Sequence, residues 1–295
     1  MANEAGEFKR KDSKFRNWVK ADGSTPHQPE AGRYHLYVSF ACPWASRTLL
    51  VRKLCSLESA ITMSWVEPEW GPKGWRFADG TDLIDIYLKV DPNFKGDETV
   101  PILWDKKLNT IVNNESRDII RMLDEEFREI GNSEIDLCPP DLKTEIDQTL
   151  DAIYEPINNG VYRAGFATTQ EAYEAAVKEL FGALDRYERV LAGQRYLCGS
   201  RLTEADVCLF TTLVRFDPVY VGHFKCNLRC LREYPNLWAY TREIYQISGV
   251  SETVNFDHIK RHYYRSHENI NPNGIVPLGP VLNFLAPHDR ARFAD

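Results

Sequence analysis

Nothing in the sequence of 295 residues offers a membrane span: no apolar run approaches the roughly 18 residues a bilayer crossing needs. The N-terminal stretch MANEAGEFKRKDSKFRNWVK is charged and lacks the apolar core of a signal peptide, so a cytoplasmic, reducing location is expected. Positive charge is short as well. Lys and Arg number 36 against 43 Asp and Glu, a net charge of −7, and no basic block carries interleaved aromatics. A nucleic-acid partner is therefore not expected. The seven cysteines have no regular spacing, which excludes a disulfide framework in a chain this long. Internal repeats and low-complexity segments are absent too.

What remains is an ordinary globular composition, 43% apolar and 27% charged, with a high aromatic content of 12%. Residues 1–33 lack periodicity and read as an extended arm. YHLYVSF then predicts a strand that stops near Cys42, and PWASRTLLVRKLC a helix with Pro43 at its first position, where a missing N–H costs nothing. AITMSWVEP predicts a second strand. Residues 69–95, rich in Gly and Pro, read as a long irregular connection, and a loop of that length is usually functional. TVPILWD and KLNTIVNN predict a tight hairpin, and ESRDIIRMLDEEF a helix with Ile119, Ile120, Leu123 and Phe127 on one face. The order strand, helix, strand, hairpin, helix is that of a small mixed sheet with helices on its faces.

After Cys138–Asp141 the pattern becomes wholly helical. A first helix, marked by Leu142, Ile146, Leu150, Ile153 and Ile157, should kink at Pro156. Thr168 and Glu171 suggest a capping box for the next, which should end at Gly193. Thr203 reads as an N-cap with Asp206 three residues on, and NLWAYTREIYQI as a further helix. From Asn255 onward an ordered but irregular extension is expected. The chain thus divides into an arm (1–33), an α/β domain with a mixed four-stranded sheet (34–130), an all-helical domain (141–254) and an extension (255–295).

The chemistry concentrates at Cys42. A cysteine at a helix N-terminus faces unpaired backbone N–H groups and the positive end of the helix dipole, and both favour the thiolate. Lowering a thiol pKa from about 8.5 to about 5.5 raises the thiolate fraction at pH 7 about 30-fold. The intrinsic nucleophilicity falls about 15–30-fold over the same range, so attack gains almost nothing. The gain is in leaving: a low-pKa sulfur departs faster from a mixed disulfide. In Cys42-Pro43-Trp44-Ala45 the position of a second cysteine is held by Ala45. A local disulfide is impossible, and the resolving thiol must come from outside, a part that glutathione fits. Val100-Pro101 at the opening of the third strand would, with a cis bond, present the Val100 backbone to a peptide-like ligand. Glu115-Ser116 at a helix start suits an α-ammonium and a carboxylate, though it can equally be a plain cap.

With these residues in place the sequence resembles the glutathione transferases, and within them the Xi class of S-glutathionyl-hydroquinone reductases. SFACPWASRTLLVRKL, NNESRDIIRML, NNGVYRAGFATTQEAYEAAV, LTEADVCLFTTLVRFDPVYVGHFKCN and TVNFDHIKRHYYRSHENINPNGIVPLGP carry the likeness, from about residue 15 onward. VRFDPVY and HYYRSH separate it from the Omega class. The resemblance implies that Cys42 removes glutathione from a glutathionyl-hydroquinone, with a second glutathione releasing glutathione disulfide. It implies Trp75, Val100, Glu115 and Ser116 as glutathione contacts, and Tyr162 and Tyr263 as quinol-pocket residues that assist catalysis. It also implies that the α/β domain is thioredoxin-like, that the extension packs near the active site, and that the protein is a homodimer. His267 is a third candidate on the quinol; its alternative is a hydrogen bond that docks the tail.

Other assignments stay open. An Omega-like thioltransferase or dehydroascorbate reductase shares the cysteine, and a non-catalytic ligand carrier could share the fold. His223, Cys226 and Cys230 in HFKCNLRC are loosely spaced with no evident fourth ligand, so no metal is expected. Cys55, Cys198 and Cys208 read as packing residues.

Overall fold

The computed structural model describes residues 2–131 and 134–293. They form two compact units, one made of Met1–Lys11, Leu137–Ser251 and Pro277–Asp295, the other of Asp12–Asp136 and Glu252–Val276.

The second unit is built on four strands, β1 (Tyr34–Val38), β2 (Thr62–Trp65), β3 (Ile102–Asp105) and β4 (Thr110–Asn113), in the order β2-β1-β3-β4. β1 runs parallel to β2 and antiparallel to β3, and β3 pairs antiparallel with β4, the mixed sheet expected from the sequence. Tyr34, Leu36 and Val38 alternate into the core, where each removes its apolar surface from water at about 25 cal/mol per Å². Helices α1 (Pro43–Leu54) and α3 (Ser116–Glu125) pack against each other, with Ile119, Ile120 and Leu123 buried on the inner face of α3.

β4 lies at the sheet edge, where unpaired backbone groups invite a foreign strand. The arm occupies that edge: Asn17 N–H donates to Val112 O (3.0 Å) and Asn114 N–H to Phe15 O (3.0 Å). At the end of β3, Asp105 gathers Arg33 Nε (3.0 Å), His27 Nδ1 (2.8 Å) and the N–H groups of Lys107 and Leu108. Burial pushes its carboxyl up, but these hydrogen bonds, Arg33's foremost, outweigh it and hold the group at about 2.

Two elements depart from the sequence reading. The connection 69–95 is not irregular throughout, because Ile84–Val90 forms a short helix, α2. Its two turns are too brief for a helical period to show, and its β-branched and aromatic residues read equally well as strand. The extension likewise begins with a helix, α9 (Phe256–Ser266), started by Asn255, whose side chain accepts from His258 N–H (3.0 Å).

The first unit holds α4 (Lys143–Ile153), α5 (Gly160–Gly165), α6 (Gln170–Gly193), α7 (Glu204–Arg215) and α8 (Pro235–Gln246). The bend foreseen at Pro156 takes the form of a π turn, Tyr154–Asn158, fastened by Asn158 Nδ2 to Cys208 O (3.0 Å) and Thr212 Oγ1 (2.9 Å). Helix α6 is capped one residue later than foreseen: Thr169 accepts from Ala172 N–H (3.3 Å), while Thr168 donates its own N–H to Gly6 O (3.0 Å). Arm and tail both return to this unit. Arg290, fully buried, donates to Leu191 O (2.6 Å) and Gln194 O (2.6 Å), closing the carbonyl end of α6.

Candidate active site

Cys42 is the N-cap of α1, with extended backbone (φ −76°, ψ 123°) and Pro43 behind it at the first helical position. Its own carbonyl receives Ser46 N–H at 3.0 Å, so the sulfur stands where the chain leaves the sheet and the helix begins. The side chain is partly exposed. The other cysteines differ. Burial pushes the Cys55 thiol up to about 12 and the Cys198 thiol to about 11, and Cys226 and Cys208 lie in the core. The Cys55, Cys198 and Cys226 sulfurs stay protonated at neutral pH, and Cys230, the other partly exposed cysteine, has its thiol pushed up by burial too. Ala45, at the place of a second cysteine, is fully buried.

Val100 meets Cys42 directly: its carbonyl oxygen is 3.6 Å from Sγ, and the Val100-Pro101 bond is cis. The segment ahead of it is braced by Tyr87. The phenol donates to Thr99 O (2.7 Å) and accepts from Thr99 N–H (3.2 Å) and from Asn114 Nδ2 (3.2 Å). Asn114 is followed by Glu115 and Ser116, so the Val100 segment and the α3 start are tied through one buried hydroxyl. Glu115 caps α3 by accepting from Arg117 N–H (3.2 Å) and also accepts from Ser13 Oγ (3.0 Å). Ser116 is buried and receives Arg47 Nη1 at 3.2 Å, and the Arg47 guanidinium lies over the Trp44 ring at 4.4 Å. Glu115 is thus the cap of α3, the plainer of the two readings of Glu115-Ser116.

Helix α9 supplies the next layer of the same unit. His258 in its first turn meets Phe40 edge-on (5.8 Å), just ahead of Cys42. One turn on, His262 lies flat on Trp75, centroids 4.5 Å apart and planes at 20°. Tyr263 and His267 join edge-on, 5.5 Å from each other, and Trp70 meets His267 at 5.4 Å. Tyr263, His267 and Trp75 are all buried. The Gly-rich connection is clasped from the same helix: Arg261 Nε and Arg265 Nη1 reach Glu69 (3.0 and 3.1 Å), and Trp70 N–H donates to Ser266 Oγ (3.0 Å).

The structure therefore gathers Cys42, Trp75, Val100, Glu115, Ser116, Tyr263 and His267 in one unit. Tyr162 belongs to the other. It is buried on α5 among Phe166 (6.1 Å), Tyr220 (6.1 Å) and Phe224 (5.5 Å), with the Arg10 guanidinium 5.0 Å from its ring centre. Sequence reasoning did not single out Tyr87, Asn114, Arg47, His262 or Arg10. Of these only Asn114 had a local signal, as the residue ahead of Glu115-Ser116. Among the described residues no group of three or more His, Cys, Asp or Glu is placed to hold a metal ion, and no helix is long and apolar enough to cross a membrane.

Comparison with known proteins agrees with this geometry. The family model for the glutathione S-transferase N-terminal domain matches residues 41–126, and the one for the C-terminal domain matches residues 170–243. The chain is 50% identical to glutathionyl-hydroquinone reductase YqjG of Escherichia coli, over 97% of this chain and 92% of that protein. Among solved structures, a Xi-class glutathione transferase from Natrialba magadii superposes with a TM-score of 0.93 at 53% identity, covering 94% of this chain and 89% of that one. The glutathione-bound structure of YqjG gives a TM-score of 0.91 at 51% identity, covering 94% and 96%.

Proposed function

The chain belongs to the glutathione transferases, in the Xi class of glutathionyl-hydroquinone reductases, and on that premise we propose that it uses Cys42 to strip glutathione from aromatic glutathionyl-hydroquinones. The observation that carries the reading is the partly exposed sulfur of Cys42 at the head of α1, with a buried Ala45 where an internal resolving thiol would stand.

The cycle has two displacements. The substrate ring first tautomerises to its keto form, because direct expulsion of an aromatic carbanion is too costly. The Cys42 thiolate then attacks the glutathionyl sulfur. The new S–S bond forms as the C–S bond breaks, and its electron pair moves to the ring oxygen as an enolate, which takes a proton to become hydroquinone. A second glutathione thiolate attacks the glutathionyl sulfur of the mixed disulfide, expelling the Cys42 thiolate and yielding glutathione disulfide. The substrate is reduced by two electrons, and two glutathione sulfurs are oxidised.

In this reading Val100 pairs with the glutathione backbone, Glu115 and Ser116 take its α-ammonium and carboxylate, and Trp75 packs on it. Tyr162 and Tyr263 donate hydrogen bonds to the enolate oxygen, with His267 as a further donor. No metal takes part. The reading includes a cytoplasmic location, where glutathione is kept reduced, and a homodimer, which sedimentation equilibrium tests. The deciding experiment compares turnover of a glutathionyl-hydroquinone with that of a small glutathione mixed disulfide. Preference for the quinol is expected; negligible quinol turnover beside rapid mixed-disulfide reduction would instead make the protein an Omega-like thioltransferase.

A further inference from the structure

We propose that His262 is a positioning residue: an imidazole, protonated on Nδ1, that sets the plane of Trp75 and ties the glutathione contact to the helix carrying Tyr263. This deepens the function proposed above and rests on its placing Trp75 against glutathione.

Two contacts define the role. On one side Nδ1 lies 2.8 Å from the carbonyl oxygen of Pro68. A carbonyl only accepts, so the proton is on Nδ1. On its face the ring stacks on Trp75 at 4.5 Å and 20°. The backbone of Trp75 is held from its own connection, with a left-handed Gly74 (φ +90°) ahead of it and Leu83 N–H donating to Trp75 O (2.8 Å), but these bonds leave the indole plane to its ring neighbours. Trp70 meets the indole edge-on (6.0 Å), and the flat partner on α9 covers its face. His262 is buried (6% exposed), and its ring also meets Trp70 (5.3 Å), Tyr263 (5.3 Å) and His267 (5.4 Å) edge-on. The connection is fastened nearby by Glu69 and Trp70, but those bonds hold its backbone and an exposed carboxylate. The imidazole reaches both the backbone of the connection and the face of Trp75. One side chain therefore registers the glutathione half of the site with Tyr263, its own neighbour in sequence.

The two contacts separate by substitution. Asn places an amide N–H close to where Nδ1 stands but cannot stack. Phe stacks but cannot donate. Glutathione affinity, measured by calorimetry in a Cys42→Ser background, needs no quinol turnover and so stands apart from the proposed reaction. His262→Asn is expected to weaken glutathione binding about tenfold, and His262→Phe to leave it within about twofold. In the Cys42 enzyme His262→Phe is expected to lower kcat for the glutathionyl-hydroquinone about tenfold, because Pro68 loses its donor and the α9 end that holds Tyr263 is released. Equal affinities for wild type and His262→Asn at matched thermal stability would overturn the proposal, as would the same fractional loss in both variants. A measurement on the unsubstituted chain guards against variants that fail to fold. In protein labelled with 15N at its seven histidines, the His262 ring should show the Nδ1–H tautomer, and a spectrum giving the Nε2–H tautomer refutes the assignment. If glutathione binds as expected but no quinol turns over, the proposed reaction fails and the positioning role stands.

Discussion

The sulfur of Cys42 and the carbonyl oxygen of Val100 are 3.6 Å apart, the first at a helix start and the second 58 residues later ahead of a cis proline. In the proposed reaction a ligand backbone paired with Val100 would bring its own sulfur beside that of Cys42. Proximity of this kind is a large part of what an active site supplies. On treatment with oxidised glutathione the wild-type protein should gain one glutathionyl group by mass spectrometry, and Cys42→Ser none, since burial raises the thiols of Cys55, Cys198 and Cys226, and the partly exposed Cys230 is raised as well, by burial first and by the nearby Asp217 carboxylate. Quinol turnover should fall by several orders of magnitude in Cys42→Ser. Turnover within tenfold of wild type would mean that the cysteine is not the nucleophile, and a ligand carrier would become the better description.

The two tyrosines are expected to act on the departing oxygen and not on the sulfur. Tyr162→Phe and Tyr263→Phe should each lower kcat for a glutathionyl-hydroquinone by about 100- to 1000-fold, the usual loss of one oxyanion donor. Reduction of an aliphatic glutathione mixed disulfide, which makes no enolate, should change little. Equal losses on both substrates would point to a packing role, which the aromatic surroundings of Tyr162 could also support.

Tyr87 offers a test of the bracing behind Val100. Its hydroxyl joins Thr99 O, Thr99 N–H and Asn114 Nδ2, all within 3.2 Å. Tyr87→Phe leaves those groups without their partner, at a cost of about 1–3 kcal/mol in stability by urea unfolding. KM for glutathione should rise with it. An unchanged KM would show that the Val100 segment holds its course without this brace.

The pH dependence follows from Asp105. Its carboxyl is held at about 2, below the ordinary value of 3.8, so folding favours its ionised form. The stability it contributes is whole above about pH 4 and is lost as pH falls through 2. Asp105→Asn should be less stable than wild type at pH 7, with the gap closing between pH 4 and 2 in thermal melts. Parallel curves across that window would contradict the assignment. In the Arg33→Met background the Asp105 substitution should cost less, because its main partner is already gone.

Much of the fold could be read in advance where a pattern is long or a signal local. Pro43 at a helix start, the alternation of Tyr34–Val38, the apolar face of α3 and the Thr203–Asp206 cap are all decided by nearby residues. What escaped was set by distant partners. Helix α2 is recognisable only once Tyr87 is seen bonded to Thr99 and Asn114, and α9 only once its basic and aromatic residues are seen closing on 68–75. The site divides the same way. Cys42 and Ala45 announce their chemistry locally, whereas Tyr162, Tyr263 and Trp75 are ordinary core aromatics by every local measure and were singled out through family motifs. His262 has no pattern of its own, since its meaning depends on a ring 187 positions earlier.

The return of residues 252–276 to the sheet unit has a consequence for synthesis on the ribosome. A chain made from its N-terminus folds domain by domain only if each domain is contiguous. Here the four strands emerge first, but the helix that covers Trp75 and carries Tyr263 comes late, after α4 to α8 of the helical unit have been made. Through most of translation Cys42 stands beside a connection whose aromatic residues lack their lid. In the proposed reaction the nucleophile is thus made early and its pocket late, and the protein would acquire the geometry for catalysis only when the chain is nearly complete.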